Sequence, residues 1–194
     1  PLEILSTQLI EQEKHWIEQQ EQLAQLEFKL SENSKALSRI FDKKEAKKGF
    51  EGRFGPGLPA ISDGQMLFML NGVKKLKEGS GRMAIIQNGS SLFTGDAGSG
   101  ASEIRKYVID GDLVEAIIQL PTDLFYNTGI STYIWVLSKG KEMKRSGKVQ
   151  LIDASKCFVK RRKNIGNKRV DLNDNCIALI IKAYESFEDG VFED

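Results

Sequence analysis

Leu113-Val114-Glu115-Ala116-Ile117-Ile118-Gln119-Leu120 and Ile130-Ser131-Thr132-Tyr133-Ile134-Trp135-Val136-Leu137 are two apolar runs, rich in β-branched and aromatic residues and separated by nine residues. Each reads as a buried strand. A parallel pair would need a crossover of a dozen or more residues, normally a helix, and nine do not supply one. The two runs are therefore expected to be antiparallel neighbours.

Elements on either side extend this pair into an α/β pattern. Upstream, Ser102 to Asp110 reads as a helix with Ile104, Tyr107 and Val108 inward and Gly111 as its stop. A Gly/Ser loop from Asn88 to Gly100 precedes it, and Met83-Ala84-Ile85-Ile86 before that suits a short buried strand. Ser62 followed by Gln65 suits a capping box, and Met66, Leu67, Leu70, Val73 and Leu76 trace one helical face that stops at Gly79. Downstream, Val149 to Ile152 reads as a fourth strand. Asn173 or Asp174 caps a last helix with Ile177, Ile180, Ile181, Tyr184 and Phe187 on one face. The order is helix, strand, helix, strand, strand, strand, helix, expected to form a mostly parallel sheet ending in an antiparallel strand.

A boundary lies further towards the amino terminus. Residues 49–59 hold four glycines and two prolines, which no regular element tolerates. Before them, residues 1–41 have helix-forming composition. Leu2, Leu9, Trp16, Leu23, Leu30 and Leu37 recur seven apart, with Leu5, Gln12, Gln19, Leu26, Asn33 and Ile40 three positions later. That is a coiled-coil seam with half its second positions polar, and Ser31-Glu32-Asn33-Ser34 is a point where it can fold back as a hairpin. A partner-binding helix and a helix packed on its own domain both remain open. The division expected is a helical extension over 1–48 and an α/β domain over 49–194.

Composition excludes several classes. With 40% hydrophobic and 28% charged residues the chain is expected to fold, and no apolar run approaches the roughly 18 residues that span a bilayer. Cys157, Cys176 and His15 show no metal-ligand spacing, so no metal ligand is assigned, and the thiols read as reduced in a cytoplasmic protein. A lone histidine leaves no catalytic triad. Eight residues separate Ile86 from Gly95-Asp96-Ala97-Gly98-Ser99-Gly100, too many for a phosphate or dinucleotide loop, and the next strand ends at Leu120-Pro121 without a ribose-binding acid. No cofactor-binding or catalytic residue is therefore assigned, and 95–100 is expected to be a connecting loop.

Two segments remain as candidates for function. Net charge is only +1, but Lys156, Lys160, Arg161, Arg162, Lys163, Lys168 and Arg169 put seven cations within fourteen residues with no acid among them. This is either a solvated stretch or a contact for nucleic-acid phosphates. Phe125 and Tyr126 are adjacent rings in the link between the two buried strands. They either pack locally or offer a platform on which an unpaired base stacks.

Several segments, taken in order, resemble one family. Gly52-Arg53-Phe54-Gly55-Pro56-Gly57-Leu58-Pro59, Ser62-Asp63-Gly64 and Gly81-Arg82-Met83-Ala84-Ile85-Ile86-Gln87-Asn88-Gly89-Ser90-Ser91-Leu92-Phe93 are similar to the region downstream of the catalytic motif in modification subunits of type I restriction–modification systems. So are Ser102-Glu103-Ile104-Arg105-Lys106-Tyr107, Leu120-Pro121-Thr122-Asp123-Leu124-Phe125-Tyr126-Asn127-Thr128-Gly129-Ile130 and Val149-Gln150-Leu151-Ile152-Asp153-Ala154-Ser155. The resemblance covers residues 49–187 and marks the chain as the carboxy-terminal half of such a catalytic domain.

The resemblance implies part of a class I, Rossmann-like methyltransferase sheet with an antiparallel last strand. For the complete subunit it implies S-adenosylmethionine as methyl donor and the exocyclic amine of adenine in DNA as acceptor. It also implies specificity and restriction subunits as partners. The ring that stacks on the target base matches Phe125, with Tyr126 as the alternative. Lys160, Arg161, Arg162, Lys163, Lys168 and Arg169 are assigned to the DNA backbone. The family's acidic, glycine-rich cofactor turn and its Asn-Pro-Pro-aromatic motif have no counterpart in these residues. This chain alone is thus expected to bind no cofactor and transfer no methyl group, since positioning donor and amine is most of the catalytic work. The competing expectation is a non-catalytic DNA-binding or assembly module, derived from a methyltransferase scaffold, that self-associates through residues 1–41.

Overall fold

The computed structural model describes residues 48–60 and 63–191, so the expected helical extension over 1–41 and the Ser62 cap lie outside the described residues. Strands β1 (Arg82–Asn88), β2 (Val114–Gln119), β3 (Thr132–Ser138) and β4 (Gln150–Asp153) form one mixed sheet in the order β1-β3-β2-β4. The expected antiparallel pair is present, with Ile117 opposite Trp135 and Ile118 opposite Ile134. β3 also runs antiparallel to β1, while β4 joins β2 in parallel.

The antiparallel strand therefore lies inside the sheet and not at its end. β1 and β2 are parallel to each other, joined through a helix, and leave a gap one strand wide. The short 121–131 link turns the chain back into that gap, where β3 satisfies its backbone groups on both sides. β1, by contrast, pairs with β3 alone among the described residues. Its side chains alternate, Met83, Ile85 and Gln87 facing inward and Arg82, Ala84 and Ile86 outward. Ile86, expected in a buried strand, is half exposed.

Helices α1 (Gln65–Lys75) and α3 (Gly100–Asp110) pack on the sheet. Met66, Met69, Leu70 and Val73 of α1 follow the spacing of one helical stripe and meet Ile104, Val108, Val114, Trp135 and Leu137 in the core. Gly64 precedes the first turn of α1, and Asp63 Oδ1 accepts from Gln65 N at 3.3 Å. In α3 the Ile104–Val108 stripe fills the core contact, and Tyr107, one position off that stripe, is 40% exposed where burial was expected. The segment from Asn88 to Gly100, expected as loop throughout, contains a one-turn helix α2 (Ser90–Phe93).

Helix α4 (Asp174–Ser186) starts at the expected cap, Asn173 Oδ1 accepting from Cys176 N at 2.9 Å. Its rotation differs from the expected one. Ile177 and Ile181 are 44% and 49% exposed, whereas Cys176 and Ala183 are buried. Polar groups join this helix to the sheet. Tyr184 Oη donates to Oε2 of the fully buried Glu115 at 2.8 Å, and Arg82 pairs with Glu115 Oε1 at 3.0 Å. Burial, reinforced by that carboxylate, raises the Tyr184 phenol above its ordinary pKa. Gln150 Nε2 donates to Ala183 O at 2.7 Å, and the buried Arg145 guanidinium lies 4.3 Å and 4.4 Å from the Tyr184 and Phe187 ring centres.

A second, two-stranded sheet comes from β5 (Val159–Ile165) and β6 (Lys168–Asp171), an antiparallel hairpin closed by Gly166 and Asn167. The cationic stretch from Lys160 to Arg169, to which the sequence assigns no element, lies on this hairpin. Among the described residues no helix is long and apolar enough to cross a membrane.

Candidate nucleic-acid interface

The link between β2 and β3 and the β5–β6 hairpin fold against each other through backbone hydrogen bonds. Asp123 O accepts from Arg169 N at 2.8 Å and from Val170 N at 3.3 Å, and Tyr126 O accepts from Asn167 N at 2.9 Å. A Cβ on Gly166 would stand 2.7 Å from Tyr126 O and 2.9 Å from its ring, so the hairpin turn sits hard against Tyr126 and needs glycine there, at φ +57°. The two segments singled out in the sequence thus form one surface. Phe125 is partly buried against Leu120, Leu124 and Val170, whereas Tyr126 is 50% exposed.

The six cations of the hairpin divide into two sets. Arg161 and Lys168 both pair with Asp171, Lys168 Nζ at 2.8 Å, and these two cations hold the Asp171 carboxyl below its ordinary range. Lys160, Arg162, Lys163 and Arg169 are exposed and have no acidic partner among the described residues. Thr122, Asp123, Phe158, Lys160, Arg161, Asn164, Arg169 and Val170 line a cavity of about 300 Å³ between the link and the hairpin.

A second polar cluster was not foreseen. At the end of β1, Gln65 Nε2 reaches Asp63 Oδ2 and Asn88 Oδ1, each at 2.9 Å, and also the Ser90 hydroxyl. Gln65 Oε1 accepts from Asn88 N at 3.1 Å, and Asn88 Oδ1 accepts from Ser90 N at 2.9 Å. The Ser90 hydroxyl lies 2.7 Å from Asp63 Oδ2 and 2.6 Å from Asn88 Oδ1 and donates its proton to one of them. The short polar residues around Asn88 were visible in the sequence, but their partners on the approach to α1 lie more than twenty positions away.

Burial alone would raise the Asp63 pKa; hydrogen bonds from Ser90 and Gln65 outweigh it and leave the carboxyl below its ordinary value. A carboxyl depressed in the folded state stabilises above its unfolded pKa and loses that contribution as pH falls through the folded one. Ser90→Ala is therefore expected to lower stability at neutral pH by about 1 kcal/mol. It should also flatten the stability profile below about pH 4. Urea midpoints measured between pH 3 and 7 check both, and an unchanged profile would show that Ser90 does not hold the carboxylate.

The pattern of the N-6 DNA methylase family matches residues 14–191, beginning well before the Gly49 at which the motif resemblance starts. Two type I restriction enzyme methylase subunits of Methanocaldococcus jannaschii, MjaVIII and MjaVII, are 36% identical over 108 residues and 34% over 113. Each match covers 56% of this chain and 18% of the relative, so the chain spans less than a fifth of the relatives' length in alignment. The solved type I restriction–modification methyltransferase subunit of Streptococcus thermophilus superposes with a TM-score of 0.65 at 32% identity, over 74% of this chain and 29% of that one. Matched along nearly its whole length, the chain belongs to the N-6 DNA methylase family, and the relatives it resembles are the modification subunits of type I restriction–modification systems.

Proposed function

We propose that this chain is the DNA-contacting, carboxy-terminal part of the catalytic domain of a type I modification subunit. The hairpin grips the DNA backbone, and the 121–131 link faces the adenine to be methylated. The observation that carries this reading is the locking of the aromatic link to the cationic hairpin by backbone hydrogen bonds. It sets a half-exposed ring, Tyr126, against the turn of a hairpin that carries four cations without acidic partners among the described residues. An aromatic face next to a positive surface is the chemistry that holds an extruded base and its strand. Phe125 is the position that matches the family's stacking ring; exposure favours Tyr126 for the same role.

The insertion of β3 between two parallel strands supports reading the sheet as the trailing part of a class I, Rossmann-like fold. In the complete subunit the remaining strands would continue from the open edge of β1. S-adenosylmethionine would supply the methyl group there. The described residues do not fit a cradle for it. The 95–100 loop opens α3, but Leu58 lies across its last glycine, where a Cβ would stand 1.8 Å from Leu58 O, and Ser99 Oγ already caps Ser102 N. No step of the transfer is assigned to these residues. Methyl transfer to adenine N6, the specificity and restriction subunits as partners, and a cytoplasmic site of action belong to the complete protein in this reading. In this reading the heptad spacing of residues 1–41 provides a seam for self-association.

Binding of the chain to a labelled duplex carrying one unpaired adenine, against the fully paired duplex, tests this reading. Tyr126→Ala is expected to weaken the unpaired-adenine complex by about 1–3 kcal/mol, roughly 5- to 150-fold, and the paired complex far less. Phe125→Ala should mainly lower stability, since that ring packs on Leu124 and Val170. Equal affinity for the two duplexes, unmoved by either substitution, would remove the target-base role.

A further inference from the structure

The cavity between the link and the hairpin is more specific than a positive surface. Resting on the DNA-contact reading above, we propose that it takes one nucleotide unit of a DNA strand, so that the hairpin holds the strand in a single register.

Size and charge point to that ligand. A volume of about 300 Å³ lies at the lower end of small-molecule sites and suits one nucleotide, not a polyphosphate-bearing one. Of its three cations, Arg161 is taken up by Asp171, which leaves Lys160 and Arg169 facing the cavity. The Asp123 carboxylate is the acid in the lining. Two unpaired cations against one carboxylate leave a single positive charge, the match for one phosphodiester. The remaining groups suit the rest of a nucleotide. Phe158 supplies an aromatic wall for a base, and Asp123 and Asn164 offer acceptor and amide groups to its edge.

The walls are also fixed relative to one another. Asp123 sits at φ +57°, a left-handed conformation that aspartate adopts more readily than most side chains, and its carbonyl accepts hydrogen bonds from both Arg169 and Val170. The link and the hairpin thus present a formed cavity, and little ordering cost is left for a ligand.

Two double variants that remove equal charge separate this proposal from a diffuse one. Lys160→Ala with Arg169→Ala strips the cavity; Arg162→Ala with Lys163→Ala strips cations outside its lining. Binding of a short single-stranded DNA is measured by fluorescence anisotropy, and binding of deoxyadenosine monophosphate and of inorganic phosphate by calorimetry. The cavity variant is expected to lose at least tenfold more DNA affinity than the outer one and to abolish binding of the mononucleotide. Phe158→Leu should weaken the mononucleotide while leaving inorganic phosphate unchanged. Equal losses from the two double variants, with DNA still bound by the intact chain, overturn the single-nucleotide site and leave the DNA-contact reading standing. An intact chain that binds no DNA at low salt overturns both.

Discussion

Trp135→Ala is expected to destabilise the chain by about 3–5 kcal/mol, the range for removing a buried tryptophan. The residue sits on β3, between Ile85 of β1 and Ile117 of β2, and is 1% exposed. Its loss opens a cavity under α1 and α3 that the paired strands on both sides cannot close. The indole also joins two elements. Nε1 donates to Ser91 Oγ at 3.1 Å, and Ser91 Oγ donates to Asn88 O at 2.9 Å, which ties β3 to the turn leaving β1. Trp135→Phe restores most of the volume without the N–H and should cost less. Ser91→Ala leaves a buried indole N–H unpaired, at about 1–3 kcal/mol. Because Trp135→Phe and Ser91→Ala break the same bond, their double variant should cost less than their sum. Urea unfolding followed by circular dichroism measures all four; a loss under about 1 kcal/mol for Trp135→Ala would show that the indole is not the centre of this core.

What the sequence disclosed follows the range of the forces involved. The antiparallel pairing of the strands around Ile117 and Ile134 was legible because a nine-residue link leaves no alternative. The face of α1 was legible because Met66, Leu70 and Val73 repeat at helical spacing. The exposure of Ile177 and Ile181 was not, because the buried side of that helix runs through Cys176 and Ala183 and faces partners far away in sequence, Glu115 being sixty-nine positions from Tyr184. Periodicity reports which residues are apolar, not which element a helix will pack on. The hairpin carried a readable local signal, Gly166-Asn167 between Ile165 and Lys168, a two-residue turn of a type that closes β-hairpins. The absence of apolar alternation over Lys160–Lys163 hid it. The cavity was legible only in part: Lys160, Arg161 and Arg169 were singled out, while Phe158, Thr122 and Asn164 joined them only when the hairpin folded onto Asp123.

The largest functional effect is expected from the hairpin's charge. Replacing Lys160, Arg162, Lys163 and Arg169 together by Ala should weaken DNA binding by about two to three orders of magnitude near 0.1 M salt. It should also flatten the dependence of log affinity on log salt by about 0.9 for each phosphate contact removed. These four are the cations to choose because no acidic residue among the described ones neutralises them, and all are exposed. Their removal leaves Arg161 and Lys168 with Asp171, so the hairpin keeps its internal ion pairs and its backbone bonds to Asp123 and Tyr126. The reverse substitution, Arg161→Ala with Lys168→Ala, removes two positive charges but frees the Asp171 carboxylate, and it should loosen the hairpin more than it changes the salt slope. Anisotropy titrations across a salt series, with melting curves for each variant, separate the two effects. A fourfold-neutralised chain that melts like the parent and binds DNA with an unchanged slope would take the hairpin out of the interface altogether.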